Sequence, residues 1–282
     1  MNHALVIQGG GFRTAYSSGV LDAFMELDYF PFNQIVAVSG GAIAASYYIS
    51  RQPRNCFNSI CFLAEKGRFV NISGVFRSRP LMDVDIFHAI SSTHFPFDKT
   101  AALRHLRDKQ FRIVMTSRKS GQAFYCDPTQ CQWEEAVIAS CSLPFITKGE
   151  QFILGEAYMD GAWSDPLPVE FAYGQGARKI TVVRTTPQHE KGTKTWFDRV
   201  GELYYRNHLP LKSTFSDNHI YFNKAIEFLN HPPADLEVNQ IAPATPLKAG
   251  LYTTSKALLH EDYHQGLEAG RRFVNQELSL TV

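Results

Sequence analysis

Short apolar runs alternate with stretches of helical periodicity along the chain. Residues 3–8, 34–38 and 179–184 are rich in branched apolar side chains, which is typical of strands buried on both faces of a parallel sheet. After the first two runs, apolar residues recur at helical spacing, from residue 13 to about 25 and from 41 to 49. This alternation predicts a three-layer α/β/α fold, in which helices cover both faces of a mainly parallel central sheet.

The remainder of the chain extends the pattern and ends in helices. We expect strands over 111–116, 122–126 and 237–241, with the first two joined as an edge hairpin at Ser120 and Gly121. We expect helices over 134–141, 195–229 and 255–277, the second interrupted by Pro210. No repeat or low-complexity linker divides the sequence. We therefore predict a single domain over 1–282, with core motifs in 5–169 and a helical extension from about 195 to 282.

Three consecutive glycines, Gly9, Gly10 and Gly11, stand between the first predicted strand and its helix. Free backbone N–H groups and the positive end of the helix dipole meet at such a junction, and glycine allows an oxygen anion to approach closely. A dinucleotide site begins similarly, but its G-x-G-x-x-G fingerprint needs a third glycine where this chain has Thr14. Nucleotide binding is therefore the disfavoured alternative for this turn.

A second strand–turn–helix unit carries a serine on its turn. Ser39 follows the strand at 34–38 and precedes the helix at 41–49, with Gly40 beside it. This layout is typical of a nucleophile elbow, in which a strained turn lifts the serine oxygen above the sheet. The usual pattern is G-x-S-x-G, and Ala37 takes the place of its first glycine. A tight turn without catalytic function is the alternative.

Asp160 is a candidate base for this serine. A serine hydroxyl is a poor nucleophile until a base takes its proton. Asp160 is followed by Gly161, however, and Asp–Gly is also a common turn dipeptide. On its own, the pair is as compatible with a structural turn as with catalysis.

Four blocks together resemble the patatin-like phospholipases, a family of serine acyl hydrolases. They are residues 9–13 (GGGFR), 39–41 (SGG), 139–144 (ASCSLP) and 160–169 (DGAWSDPLPV), similar to the oxyanion, nucleophile, Ala-Ser-x-x-x-Pro and Asp-Gly blocks of the family. The chain departs from the family pattern at Ala37 and at Thr14, where a small residue is usual. Neither departure removes a reacting group.

The resemblance implies a mechanism in which an aspartate contacts the serine directly. Ser39 is then the nucleophile, and Asp160 is the base for acylation and the acid for the leaving group. The expected activity is hydrolysis of lipid acyl esters, of the phospholipase A or lysophospholipase type, and no cofactor or metal is expected. A non-catalytic lipid- or acyl-binding protein that retains the fold is the alternative, favoured by Ala37 and Thr14.

The resemblance also implies a catalytic role for the glycine turn. We expect the backbone N–H groups of Gly10 and Gly11 to hold the oxyanion of the tetrahedral intermediate, with help from Gly40. Gly9 belongs to the same turn. Arg13 is the candidate for substrate binding, either by orienting the turn or by meeting a phosphate headgroup. A solvated arginine at a helix start is the alternative.

The histidines leave a Ser-His-Asp triad open in principle. Six follow Asp160 in the chain order of the α/β-hydrolases: His189, His208, His219, His231, His260 and His264. None stands in a distinctive loop motif, so the triad is the disfavoured alternative to the dyad. The cysteine pairs at 56 and 61 and at 126 and 131 lack C-x-x-C spacing, so no metal site is predicted.

Composition and charge limit the partners. The net charge of +1 gives no reason to expect a nucleic-acid partner. Five cysteines without framework spacing indicate free thiols and a reducing, cytoplasmic location. The sequence enters its first strand without a signal segment, and no apolar run approaches the ~20 residues that span a bilayer. We expect a soluble protein whose substrate is a lipid acyl ester and whose contact with membranes, where it occurs, is peripheral.

Residues 67–80 are the candidate lid or lipid-contact segment. They combine aromatic and branched apolar residues with three arginines, and glycines stand at hinge positions. Apolar side chains beside arginines suit an interface with anionic headgroups. An ordinary core strand with solvated arginines is the favoured alternative.

Overall fold

A computed structural model describes residues 2–65, 93–144, 151–251, 253 and 255–280. Its strands are β1 (His3–Ile7), β2 (Gln34–Val38), β3 (Gln110–Ser117), β4 (Ala123–Cys126), β5 (Gln151–Ile153), β6 (Glu156–Asp160), β7 (Lys179–Val183) and β8 (Glu237–Ile241). Its helices are α1 (Thr14–Glu26), α2 (Gly40–Ile49), α3 (Asn55–Ala64), α4 (Lys99–His105), α5 (Trp133–Ser140), α6 (Val169–Gly174), α7 (Trp196–Tyr204), α8 (Leu209–Asn230) and α9 (Lys256–Ser279). Short 3₁₀ turns occupy Gly11–Arg13 and Gly161–Trp163.

The strands of the described residues form one eight-stranded sheet with a parallel centre. The order β3-β2-β1-β7-β8 is parallel throughout, whereas β4, β5 and β6 join antiparallel at the β3 end. Parallel neighbours need crossover connections, and the helices between the central strands provide them. This arrangement is the mainly parallel sheet that the apolar runs predicted.

Successive residues of the central strands point into two separate cores. In β1, Leu5 and Ile7 pack with residues of α1, α2 and α9, whereas Ala4 and Val6 pack with residues of α6 and α8. All five residues of β1 and all five of β2 are buried, because helices cover both faces of the sheet. The three-layer α/β/α prediction is confirmed, and the helices of the C-terminal part are present.

Strands β2 and β6 meet end to end along one edge of β3, and the candidate site lies where they meet. β4 pairs with Ile113 to Thr116, which overlaps the stretches of β3 that pair with β2 and with β6. Since β4 occupies one edge of β3, β2 and β6 share the other edge. β2 ends at Val38 opposite Val114, and β6 ends at Asp160 opposite Met115. The carboxyl ends of β2 and β6 therefore face each other.

The predicted elements are present, with small differences at their ends. The hairpin of β3 and β4, helices α1, α2, α5 and α9, and strand β8 match their predicted ranges to within a few residues. Pro210 does not interrupt a helix: α7 ends at Tyr204, and Pro210 lies in the first turn of α8, where a missing N–H costs nothing. Helices α3, α4 and α6 and strands β5 and β6 were not predicted. The candidate lid at 67–80 lies outside the described residues.

Candidate active site

Ser39 lies on a strained turn between β2 and α2. Its backbone has φ 53° and ψ −130°, a conformation that non-glycine residues rarely adopt. Ala37, where the elbow pattern has glycine, pairs regularly with Ile7 and Ile113 inside the sheet, so the turn forms without that glycine. The strain is concentrated at Ser39 itself, as expected of a nucleophile elbow.

The structure brings Ser39 and Asp160 into direct contact. The Ser39 hydroxyl donates a hydrogen bond of 2.7 Å to Oδ2 of Asp160, and Oδ1 of Asp160 accepts one of 2.8 Å from the N–H of Ala162. Asp160 is buried, and this burial raises its pKa to about 7, although both hydrogen bonds favour the ionised form. Near neutral pH the carboxyl group can therefore either accept or release a proton.

Ser140, at the end of α5, fills the junction between β2 and β6. Its hydroxyl accepts a hydrogen bond of 2.8 Å from the N–H of Ser39 and donates one of 2.6 Å to the carbonyl of Val114. Two residues later, the carbonyl of Ser142 accepts a hydrogen bond of 2.9 Å from the N–H of Asp160. The segment that resembles Ala-Ser-x-x-x-Pro thus holds both strand ends. The sequence singled out the segment but not this arrangement.

The glycine turn packs directly against the serine. A Cβ atom at Gly9 would lie 2.8 Å from Cβ of Ser39, so only glycine allows this approach. The N–H groups of Gly10 and Gly11 make no hydrogen bond to any residue that the structure describes. Gly40, first in α2, likewise has no helical partner for its N–H. The four predicted oxyanion residues line the same cavity as Ser39.

Thr14 fits its position because residue 40 is glycine. A Cβ atom at Gly40 would lie 2.2 Å from Oγ1 of Thr14. The buried Thr14 hydroxyl has no hydrogen-bond partner among the described residues. Thr14, where the family pattern has a small residue, is thus accommodated by close packing against Gly40.

Arg13 lies beside the glycine turn and lines the same cavity. Its Nε donates a hydrogen bond of 3.3 Å to the carbonyl of Gly10. Burial lowers the pKa of Arg13, and the nearby charge of Glu190 opposes that shift. The guanidinium group therefore contacts the glycine turn and also lines the cavity, and its role in orienting the turn or in binding a phosphate headgroup stays a prediction.

A cavity of 390 Å³ contains the predicted site residues. Apolar side chains from α2, α3 and neighbouring loops line part of it: Ile43, Ile60, Leu63, Leu143 and Leu251. Polar side chains from residues 190–195 and from α8 line another part: Glu190, Lys191, Thr193, Thr195, Asn218 and His219. The volume lies within the range of small-molecule sites, and the mixed lining suits an amphiphilic ligand.

No histidine in the described part of the chain hydrogen-bonds to Ser39 or Asp160. Of the six candidates, His219 lines the cavity, and its buried Nδ1 has no partner among the described residues. Cys141 lines the cavity as well, and its pKa is raised by burial and by Asp160, so its thiol stays neutral. Within the described residues, no cluster of three or more histidine, cysteine or acidic side chains is arranged to hold a metal ion.

A family model agrees with this geometry. The model described as patatin-like phospholipase matches residues 5–173, which is more than half of the chain. The chain belongs to the patatin-like phospholipase family. A second model, a domain of unknown function (DUF6363), matches residues 211–280. The family match supports lipid acyl hydrolysis as the general class of activity.

The chain is also similar to several distant proteins. The chain is 29% identical over 273 residues to the uncharacterized protein YjjU of Escherichia coli (strain K12), a match that covers 96% of this chain and 76% of that protein. It is similar to human GIVD cytosolic phospholipase A2 (TM-score 0.48, 11% identity, 96% of this chain and 58% of that protein). It is also similar to VipD of Legionella pneumophila (TM-score 0.44, 10% identity, 98% of this chain and 67% of that protein). The chain thus spans little more than half the length of the human protein.

Proposed function

We propose that this protein is a serine acyl-ester hydrolase that acts on lipids, of the phospholipase A or lysophospholipase type, through a dyad of Ser39 and Asp160. The observation that carries the proposal is the 2.7 Å hydrogen bond from the Ser39 hydroxyl to Asp160. It lies in the cavity that Gly10 and Gly11 also line, and the N–H groups of these two glycines bond to none of the described residues. Nucleophile, base and oxyanion donors are thus adjacent.

The acylation half follows from these positions. Asp160 takes the hydroxyl proton of Ser39 as Oγ attacks the carbonyl carbon of the ester. The carbonyl oxygen becomes an oxyanion, which accepts hydrogen bonds from the N–H groups of Gly10, Gly11 and Gly40. The tetrahedral intermediate then collapses and the ester C–O bond breaks. Asp160 returns its proton to the leaving alcohol, and the acyl group remains on Ser39.

Deacylation uses the same groups in reverse. Asp160 is again unprotonated after the alcohol leaves, so it can remove a proton from a water molecule that attacks the acyl carbonyl. The C–O bond to Ser39 breaks, Ser39 recovers the proton from Asp160, and the fatty acid is released. A pKa near 7 suits a group that acts as both general base and general acid, since an ideal catalytic pKa lies close to the working pH.

The cavity lining supports a lipid ester as substrate. Ile43, Ile60 and Leu63 offer apolar surface to an acyl chain. Arg13 and Lys191 offer positive charge to a phosphate group. The cysteines are all free, which supports a reducing, cytoplasmic location. No helix among the described residues is long and apolar enough to cross a bilayer.

The test is covalent labelling combined with a lipid panel. A fluorophosphonate probe should label the protein at Ser39, and Ser39→Ala should lose both labelling and ester hydrolysis. Its unfolding free energy should change by about 1 kcal/mol at most, because only a hydroxyl is removed. Ser213→Ala, which alters an exposed serine on α8, is the control and should behave as wild type. Hydrolysis that survives Ser39→Ala would refute the assignment.

A non-catalytic lipid-binding protein is the second candidate. The sequence departs from the family pattern at Ala37 and Thr14, and Thr14 packs against the proposed oxyanion donor Gly40. Well-folded protein that binds a fluorescent fatty acid, yet neither reacts with the probe nor hydrolyses any lipid, would favour this candidate.

A further inference from the structure

Helix α7 presents an apolar face to solvent. Trp196 is 64% exposed, Leu203 65% and Tyr204 68%, and Val200 is exposed between them. Positions i, i+4, i+7 and i+8 lie on one side of a helix, so these four side chains form a single face. An amphipathic surface helix normally has the opposite orientation, with its apolar side chains inward.

The inner face of α7 is fixed, so the helix cannot rotate to hide these side chains. Asp198 is buried, and it forms a capping box with Thr195 at the start of the helix. A Cβ atom at Gly201 would lie 2.2 Å from the ring of Phe215 on α8, which shows how closely the two helices approach. Phe197 packs against the main core. The outward face is therefore built into the fold.

Basic residues outnumber acidic ones in α7 and in the segments beside it. The segment 191–212 contains five basic and two acidic residues. Both acidic residues are engaged, because Asp198 caps the helix and Glu202 forms an ion pair of 2.6 Å with Lys194. The exposed cations Arg199 and Arg206 form no ion pair within the described part of the chain. The surface is thus both apolar and cationic.

The same helix borders the cavity of the candidate active site. Thr195, Phe197 and Asp198 line the cavity, whereas Trp196 and Leu203 lie on the exposed side of α7. Leu209, the first residue of α8, is exposed as well. One short helix therefore has a wall of the cavity on one side and the apolar, cationic surface on the other.

We propose that this surface, formed by the exposed side chains of α7 together with Leu209, docks onto a lipid bilayer that carries anionic headgroups. Tryptophan, tyrosine and leucine side chains insert at the boundary between headgroups and acyl chains, and nearby cations attract anionic lipids. A protein partner would not require the uncompensated cations. The inference rests on the proposed function, since docking here would bring lipid next to the cavity that is proposed to hydrolyse it.

Vesicle flotation of the full chain tests the proposal. The protein carries Ser39→Ala, so that the vesicles stay intact, and is mixed with phosphatidylcholine alone or with equal parts of phosphatidylcholine and phosphatidylserine. Binding should be stronger to the anionic vesicles and should weaken with salt. Adding Leu203→Ser should lower the partition coefficient at least about tenfold, because the leucine side chain would no longer bury apolar surface in the bilayer.

Two further variants make the test specific. Leu278→Ser changes a comparably exposed leucine on α9 and should leave the partition coefficient unchanged. Arg199→Gln combined with Arg206→Gln should remove most of the preference for anionic vesicles. Tryptophan fluorescence should shift to the blue on vesicle binding, and Trp196→Phe should abolish the shift while flotation persists.

The outcomes separate docking from catalysis. Equal flotation of the Leu203→Ser and Leu278→Ser proteins would overturn the proposed surface. So would a dimer that Leu203→Ser dissociates while vesicle binding is unaffected, because the face would then join two copies of the chain. With Ser39 restored, Leu203→Ser should hydrolyse a soluble p-nitrophenyl ester as wild type does. Flotation that persists although no ester is hydrolysed would refute the proposed function and leave the docking surface standing.

Discussion

At the scale of single residues, the candidate site depends on one buried carboxyl group. Among the described residues, the carboxyl oxygens of Asp160 accept hydrogen bonds from the Ser39 hydroxyl and from the N–H of Ala162, and neither donor is charged. Its pKa therefore rises to about 7 because burial outweighs these two bonds. Keeping this group ionised in the folded state costs stability, and the same cost makes it a stronger base.

We predict that Asp160→Asn inactivates the protein and stabilises it. Removal of the base should lower kcat at least about 10³-fold. The carboxyl pKa is near 3.8 in the unfolded chain and about 7 in the fold, so ionisation destabilises the fold increasingly as pH rises from about 4 to 7. The variant should be more stable than wild type by roughly 2–4 kcal/mol at pH 8, and by less at pH 5. Denaturant unfolding at both pH values measures this.

The control for the dyad is the histidine in the cavity. His219→Asn should retain most of kcat, because His219 bonds to neither Ser39 nor Asp160. In wild type, kcat/KM for a neutral ester should rise with pH through about 7, as Asp160 loses its proton. A folded His219→Asn protein as inactive as Asp160→Asn would contradict the dyad and favour a triad.

Ser140 is predicted to act as a positioning residue. Ser140→Ala leaves the buried N–H of Ser39 without its acceptor, which should cost about 1–3 kcal/mol of unfolding free energy and let the strained turn relax. We expect kcat to fall about tenfold or more with little change in KM. Ser142→Ala removes a buried hydroxyl whose bond among the described residues is to the carbonyl of Ile138, so it should affect stability but not kcat. Equal kcat values for the two variants would contradict the positioning role.

At the scale of the elements, the sequence predicted what is local. Strand β1, strand β2 and the glycines after β1 are contiguous signals, as is Ser39 on its turn. β6 was missed because its five residues, Glu156–Asp160, lack a long apolar run and depend on the register with β3. The contact between Ser39 and Asp160 spans 121 positions and exists only because β2 and β6 share one edge of β3.

The turn between β1 and α1 yields a kinetic prediction. A Cβ atom at Gly10 would lie 2.7 Å from Oγ1 of Thr185, so Gly10→Ala must shift the turn that presents its N–H groups. The oxyanion develops only in the transition state, so loss of one of its hydrogen-bond donors weakens the stabilisation of that state and not the binding of substrate. We therefore expect kcat to fall about 10²-fold or more while KM changes little. Arg13→Ala should instead raise KM, and more for charged phospholipids than for p-nitrophenyl esters. An effect of Gly10→Ala on KM alone would contradict the oxyanion assignment.

At the scale of the whole molecule, the C-terminal part completes the site. Asn218 of α8 donates hydrogen bonds of 2.6 Å and 3.1 Å to the carbonyls of Ala162 and Trp163, in the turn that follows Asp160. Phe222 and Leu251 line the cavity. These residues lie within 211–280, beyond the patatin-like match at 5–173. That the chain forms a single domain stays a prediction, and the packing of α9 on α1 allows a test.

Helix α9 approaches α1 so closely that it needs glycine at the contact. A Cβ atom at Gly266 would lie 2.0 Å from the carbonyl oxygen of Tyr16, a backbone atom that cannot turn aside. Since α1 begins at the glycine turn, we predict that Gly266→Ala lowers the unfolding free energy by about 1–3 kcal/mol or more and also reduces kcat.

The control is Gly174→Ala, at the end of α6. No atom lies within 4 Å of the added Cβ, so this variant should be neutral or slightly stabilising. Thermal unfolding followed by far-ultraviolet circular dichroism should show one transition at a lower temperature for Gly266→Ala. Two separate transitions, with only the first one shifted, would contradict the single domain.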